Sequence, residues 1–188
     1  MSKYMIMLSI VLMLQTPYVD QNSTGNYRDY NCLPTAIEMA ASIYGLEFNT
    51  SKIREGLNHN GGLNLSEMYL YLDESGFGYK LEFIDNKNTI RDYLDDGSLI
   101  IAIVDTKNLM SFMNSNEKTK GIYYDNARHC ILIKAYSDTE FLVDDPFSMN
   151  RKYDGEYIGR NVFIPQDYLI DENFDYLILW VEEKKIQR

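Results

Sequence analysis

Asn31-Cys32-Leu33-Pro34-Thr35-Ala36-Ile37-Glu38-Met39-Ala40-Ala41-Ser42-Ile43-Tyr44-Gly45 is the stretch that organises the reading of this 188-residue chain. Ile37, Ala40, Ala41 and Tyr44 recur at helical spacing, so Pro34 to Tyr44 is predicted to be a helix. Pro34 suits its first turn, where a missing N–H costs nothing. Gly45 stands where a left-handed C-cap belongs. The helix mouth therefore lies beside Cys32. Unpaired N–H groups and the positive end of the dipole favour an anion there, and a thiolate is one. A thiol so placed beside a histidine titrates below the usual value of about 8.5. Read alone, Cys32 is either a small buried hydrophobe or a nucleophile.

Working outward, the half before about Tyr79 reads mainly helical. Short helices are predicted over Thr50 to Leu57 and Leu65 to Glu74, the second ended by Ser75-Gly76. Then the period changes. Leu99 to Val104 and Cys130 to Tyr136 are continuous apolar runs of the kind a buried strand shows. Ser137-Asp138-Thr139 turns the second run into Glu140 to Val143, a hairpin pattern. Asn161 to Ile164 and Tyr176 to Val181 read as further strands, with one helix at about Thr89 to Leu94. Helices first and strands second define an α+β fold. No repeat or low-complexity linker divides the chain, and its length suits one domain.

Composition narrows the function. Hydrophobic residues at 45% and charged residues at 24% are those of an ordinary globular domain. The 16 tyrosines suit strands and half-buried surfaces. A net charge of −10 argues against nucleic acid as a partner, because phosphate binding needs clustered Lys and Arg. Two cysteines, Cys32 and Cys130, are too few and too distant for a disulfide framework. With only two histidines, a zinc site lacks ligands, and no cofactor is implied. Met5 to Leu14 is apolar apart from Ser9, too short to span a membrane and the length of a signal core. Residues 1–16 are therefore set apart as signal-like or as a buried first strand, with 17–188 as the domain. Export, or membrane association through that segment, is favoured over a cytoplasmic chain.

Two more residues bear on Cys32. His129 follows the polar loop Asp125-Asn126-Ala127-Arg128 and opens a strand, so it is either a solvated loop histidine or the base of a thiol enzyme. His59, in Asn58-His59-Asn60-Gly61-Gly62, reads as surface. Asp145 ends the next strand before Pro146. A hairpin would set it beside His129, where a carboxylate fixes an imidazole's tautomer and orientation; otherwise it is a turn aspartate. Asp144 points to the opposite face by strand alternation, so only one of the two can serve.

Taken together, Pro17-Tyr18-Val19-Asp20-Gln21, Asn31-Cys32-Leu33-Pro34-Thr35 and the small-residue helix ending Ile43-Tyr44-Gly45 resemble the papain-like cysteine peptidases of the bacteriocin-processing type. These are the double-glycine leader peptidases and their stand-alone relatives. Arg128-His129-Cys130-Ile131-Leu132-Ile133 and Val143-Asp144-Asp145-Pro146 match that family's histidine strand and its Asp-Pro strand end. The resemblance implies a papain-like fold: a helical half carrying the nucleophile, packed on an antiparallel half. It further implies a Cys32–His129–Asp145 triad, Gln21 as the oxyanion-hole side chain, and a peptide or protein substrate cleaved through an acyl-enzyme. Leu33 departs from the family's usual glycine, with an expected effect on the cleft. Two other readings stay open: acyl transfer to an amine by the same triad, and a catalytically silent binding module.

Overall fold

The computed structural model of the chain describes residues 13–25, 28–56 and 65–181. His59, Leu57 and most of the apolar N-terminal run lie outside them. The helices are α1 (Cys32–Tyr44), α2 (Thr50–Gly56), α3 (Leu65–Ser75), α4 (Lys87–Asp95) and α5 (Thr106–Ser115). The strands are β1 (Phe77–Glu82), β2 (Leu99–Asp105), β3 (Arg128–Tyr136), β4 (Glu140–Asp144), β5 (Lys152–Tyr153), β6 (Glu156–Tyr157), β7 (Val162–Pro165) and β8 (Asp175–Val181). A six-stranded antiparallel sheet runs β1-β8-β2-β3-β4-β7, and β5 and β6 form a separate hairpin. The fold is α+β and papain-like, as expected.

The sheet has a layer on each face. Leu99, Ile101 and Ile103 of β2, with Cys130 and Leu132 of β3, pack under Ala36, Ile37 and Ala40 of α1. The alternate residues Ile100, Ala102, Val104, Ile131 and Ile133 face Ile90 of α4 and Leu109 and Met113 of α5. Strands covered on both sides read as unbroken apolar runs, which is what Leu99 to Val104 is. The helices are therefore not confined to the first half of the chain. The sequence reading had only part of α4 and none of α5.

Helix α1 starts two residues before Pro34, so Cys32 is its first residue. Gly45 closes it at φ 70°, its N–H bonding to the carbonyls of Ala41 and Ser42. Leu33 is 4% exposed and packs into the core with Ala36 and Leu132. It is not among the residues that line the cleft. Along β3 and β4 the register shifts between Ile133 and Ala135. Lys134 lies at that shift, buried, donating to Asp144 Oδ2 (2.7 Å), Asn161 Oδ1 (2.8 Å) and Thr16 Oγ1 (2.9 Å). Arg160 and Asn161 donate to the carbonyls of Leu14 and Thr16, so residues 14–16 are laid onto the sheet. Among the described residues, no helix is long and apolar enough to cross a membrane.

Candidate active site

The start of α1 is built to leave donors open. Asn31, fully buried in the N-cap position, makes no side-chain cap bond. Its Oδ1 instead accepts from Arg54 Nε at 2.8 Å, and its Nδ2 donates to Thr24 Oγ1 at 2.8 Å. Pro34 has no N–H, and the next donor, Thr35 N–H, goes back to the Asn31 carbonyl. The N–H of Cys32, at the first helical position, has no intrahelical acceptor.

His129 is the second residue of β3 and only 7% exposed. Its Nε2 bonds to Asp145 Oδ1 at 2.7 Å, and Asp145 is fully buried just past β4. The β3–β4 hairpin brings these two together as the sequence suggested. With Nε2 committed, the hydrogen bond between His129 and the Cys32 thiol falls to Nδ1. Asp144 faces elsewhere, paired with Lys134.

The electrostatics follow from these neighbours. Cys32 is held well below the ordinary thiol range: the hydrogen bond with Cys130 is the largest influence, burial opposes it, and His129 adds a hydrogen bond and its charge. His129 is raised to about 10. Burial, the largest single influence, pulls it down, but the charge and hydrogen bond of Asp145 together with Cys32 outweigh it. Cys130 is pushed up, by its hydrogen bond to Cys32 and then by burial. Of the two thiols, Cys130 is therefore the one that holds its proton more firmly. The shifts of Cys32 and His129 run in opposite directions and favour a thiolate on Cys32 facing an imidazolium on His129.

Gln21 opens a 3-10 turn and is 2% exposed. Its backbone N–H donates to the Pro146 carbonyl at 2.8 Å, one residue from Asp145. Its Nε2 donates to the Arg28 carbonyl at 3.1 Å, which leaves a second amide proton. The turn is fixed by Asp20, which accepts from the N–H groups of Asn22 (2.9 Å) and Asn150 (2.9 Å) and from the Ser148 hydroxyl. Gln21, Cys32 and His129 share one open cleft of about 250 Å³ with Tyr123, Tyr124 and Phe147.

Several neighbours of the site were not legible in the sequence. The Tyr123 hydroxyl donates to Asp145 Oδ2, and the Phe147 N–H donates to Oδ1 at 2.8 Å. Tyr18 donates its hydroxyl to the Asp145 carbonyl at 2.6 Å. Gly159 lies against that carbonyl and accepts the Asp145 N–H at 2.8 Å. Only the pairing of Asp145 with a proline and a preceding strand carried a signal. A single tyrosine among 16 carries none.

The fold is papain-like, the fold of the C39 peptidase domains. More narrowly, the chain belongs to the Peptidase C39-like family, whose family model matches residues 13–169. Solved structures share the fold, the following two among them. One is the peptidase domain of Streptococcus ComA, a bi-functional ABC transporter involved in a quorum-sensing pathway. It has a TM-score of 0.52 and 14% identity, with 82% of this chain and 93% of that chain covered. The other, described as a C39-like peptidase, comes from Bacillus anthracis, with a TM-score of 0.59, 11% identity, and coverage of 92% and 98%. No curated protein matches the chain.

Proposed function

We propose that the chain is a cysteine peptidase that cleaves a peptide or isopeptide bond through an acyl-enzyme on Cys32. What supports this reading above all is the His129–Asp145 hydrogen bond, Nε2 to Oδ1 at 2.7 Å, with Cys32 hydrogen-bonded to the same histidine. The thiolate attacks the scissile carbonyl carbon. The oxyanion that forms is met by the Cys32 N–H and the remaining amide proton of Gln21, each such donor contributing about 2.7–4 kcal/mol. His129, protonated at rest, gives its proton to the leaving amine, while Asp145 holds the ring in position. Water, deprotonated by His129, then attacks the thioester and releases the acid. Family membership supports the class of reaction, and the cleft supports a chain-like substrate that passes across its open side.

The test is cleavage of a complex peptide mixture, read by mass spectrometry for new termini and for an acylated Cys32 peptide. The reading expects both with the native chain and neither with Cys32→Ala. Cleavage that survives Cys32→Ala would refute it. New amide products in the presence of added amines, without hydrolysis, would move the assignment to acyl transfer.

A further inference from the structure

Asp145 is gripped at five points. Its N–H goes to Gly159, its carbonyl takes the Tyr18 hydroxyl, and its carboxylate takes three donors. On Oδ1 these are His129 Nε2 (2.7 Å) and the Phe147 N–H (2.8 Å); on Oδ2 it is Tyr123. The main-chain bonds fix where the residue is. They do not fix the rotation of the carboxylate about its own bond, which its three donors decide. Tyr123 is the one that holds the oxygen His129 does not use. Its ring also stands edge-on to the imidazole, with centroids 5.6 Å apart and planes at 72°. The Phe147 ring meets the same imidazole at 6.2 Å and 71°.

We infer that Tyr123 is a positioning residue for the proposed reaction: its hydroxyl locks the Asp145 carboxylate, and its ring and that bond keep His129 Nδ1 aimed at Cys32. The inference rests on the peptidase reading. Tyr123 is 4% exposed, and its hydroxyl, cut off from bulk water, has the carboxylate as its acceptor. Burial, followed by the charge of Asp145, pushes the phenol well above its ordinary range. It therefore remains a donor wherever the thiolate–imidazolium pair exists. Without the hydroxyl, Oδ2 is a buried anionic oxygen with no donor, and such a group turns to find one. A carboxylate that turns releases Nε2, and the imidazolium then stabilises the Cys32 thiolate less.

The test compares the native chain with Tyr123→Phe and with Tyr176→Phe. The second variant removes another buried hydroxyl, one that donates to the Leu169 carbonyl at 2.8 Å. Iodoacetamide labelling of Cys32 is followed against pH, and the ring N–H proton between His129 and Asp145 is followed by NMR. In Tyr123→Phe, labelling at neutral pH is expected to slow by about tenfold or more, the scale of one hydrogen bond to a buried charge. Its low-pH limb should move upward and the N–H signal should broaden or vanish. Tyr176→Phe should lower the melting temperature while leaving both readouts in place. Equal labelling and an unchanged N–H signal in Tyr123→Phe, beside an activated native thiol, would overturn this inference alone. A native Cys32 that labels like a free thiol would overturn the peptidase reading and this inference together.

Discussion

Gly159 meets Asp145 only through the main chain, yet substitution there is expected to damage the candidate site. A methyl at Gly159 would overlap the Asp145 carbonyl oxygen and stand 3.2 Å from the Asp145 carbonyl carbon and 2.8 Å from Tyr18 Oη. Backbone cannot step aside as a flexible side chain does, so the loop and the strand end must part. Relief of the overlap requires a movement of about 1 Å, which breaks the Asp145 N–H bond to Gly159 and stretches the Tyr18 bond. A displacement of about 1 Å in a catalytic group is worth on the order of 10²-fold in rate. Gly159→Ala should therefore slow Cys32 labelling at neutral pH, and turnover once a substrate is found, by roughly that factor. Overpacking also destabilises by about 1–3 kcal/mol, so stability must be separated from function. Gly78→Ala is the control. Its methyl would overlap the Trp180 ring at the far edge of the sheet, where β1 meets β8. Both variants should melt earlier, and only Gly159→Ala should lose the reactive thiol. Native labelling rates in a folded Gly159→Ala chain would show that the Asp145 main chain does not hold the thiol–imidazole pair in place.

Other expectations follow from the same geometry. Cys32→Ala should abolish turnover with the melting temperature nearly unchanged, whereas Asp145→Asn should retain a measurable remnant after a fall of about 10⁴ in kcat. The thiolate exists above the depressed Cys32 value and the imidazolium below about 10, so kcat/KM should rise at low pH and fall near the His129 value. A profile that instead fell between pH 6 and 7 would show His129 without its Asp145 support. Cys130→Ala removes the thiol hydrogen-bonded to Cys32 and should raise the pH at which Cys32 labels; Cys130→Ser keeps a donor and should raise it less. Gln21→Ala should lower kcat by about 10²–10³ while KM holds, read in steady-state kinetics on any identified substrate.

How much of this was legible in the sequence varies from element to element. The helix behind Cys32 was readable because Ile37, Ala40 and Ala41 face one core and Gly45 ends it at positive φ. Strands β2 and β3 were readable because burial on both faces leaves Leu99 to Val104 and Cys130 to Ile133 as unbroken apolar runs. Strand β1 was not: Phe77-Gly78-Tyr79-Lys80-Leu81-Glu82 is an edge strand without clean alternation, buried only at its start, and its pairing with the distant β8 makes it one. Helix α5 was missed because Thr106 to Ser115 has modest helix formers. Its signals were local ones, the Asp105 side chain accepting from Lys107 N–H and the buried pair Leu109 and Met113. For the site, Cys32, His129 and Asp145 stood out by residue type and by position at element ends. Tyr18, Tyr123 and Gly159 did not, since each acts through a contact made by residues at least 14 positions away in sequence, from 159 − 145 = 14 upward.

An activated thiol–imidazole pair at Cys32 is read out by the pH dependence of iodoacetamide labelling at Cys32, with Cys130 followed in the same sample. Rapid labelling of Cys32 is expected well below the pH range of a free thiol, near about 8.5. That reactivity should be lost in His129→Ala, while buried Cys130 stays unlabelled throughout. Slow labelling of Cys32 at an ordinary thiol pH, indifferent to His129→Ala, would contradict it and leave a papain-like module that binds without cutting.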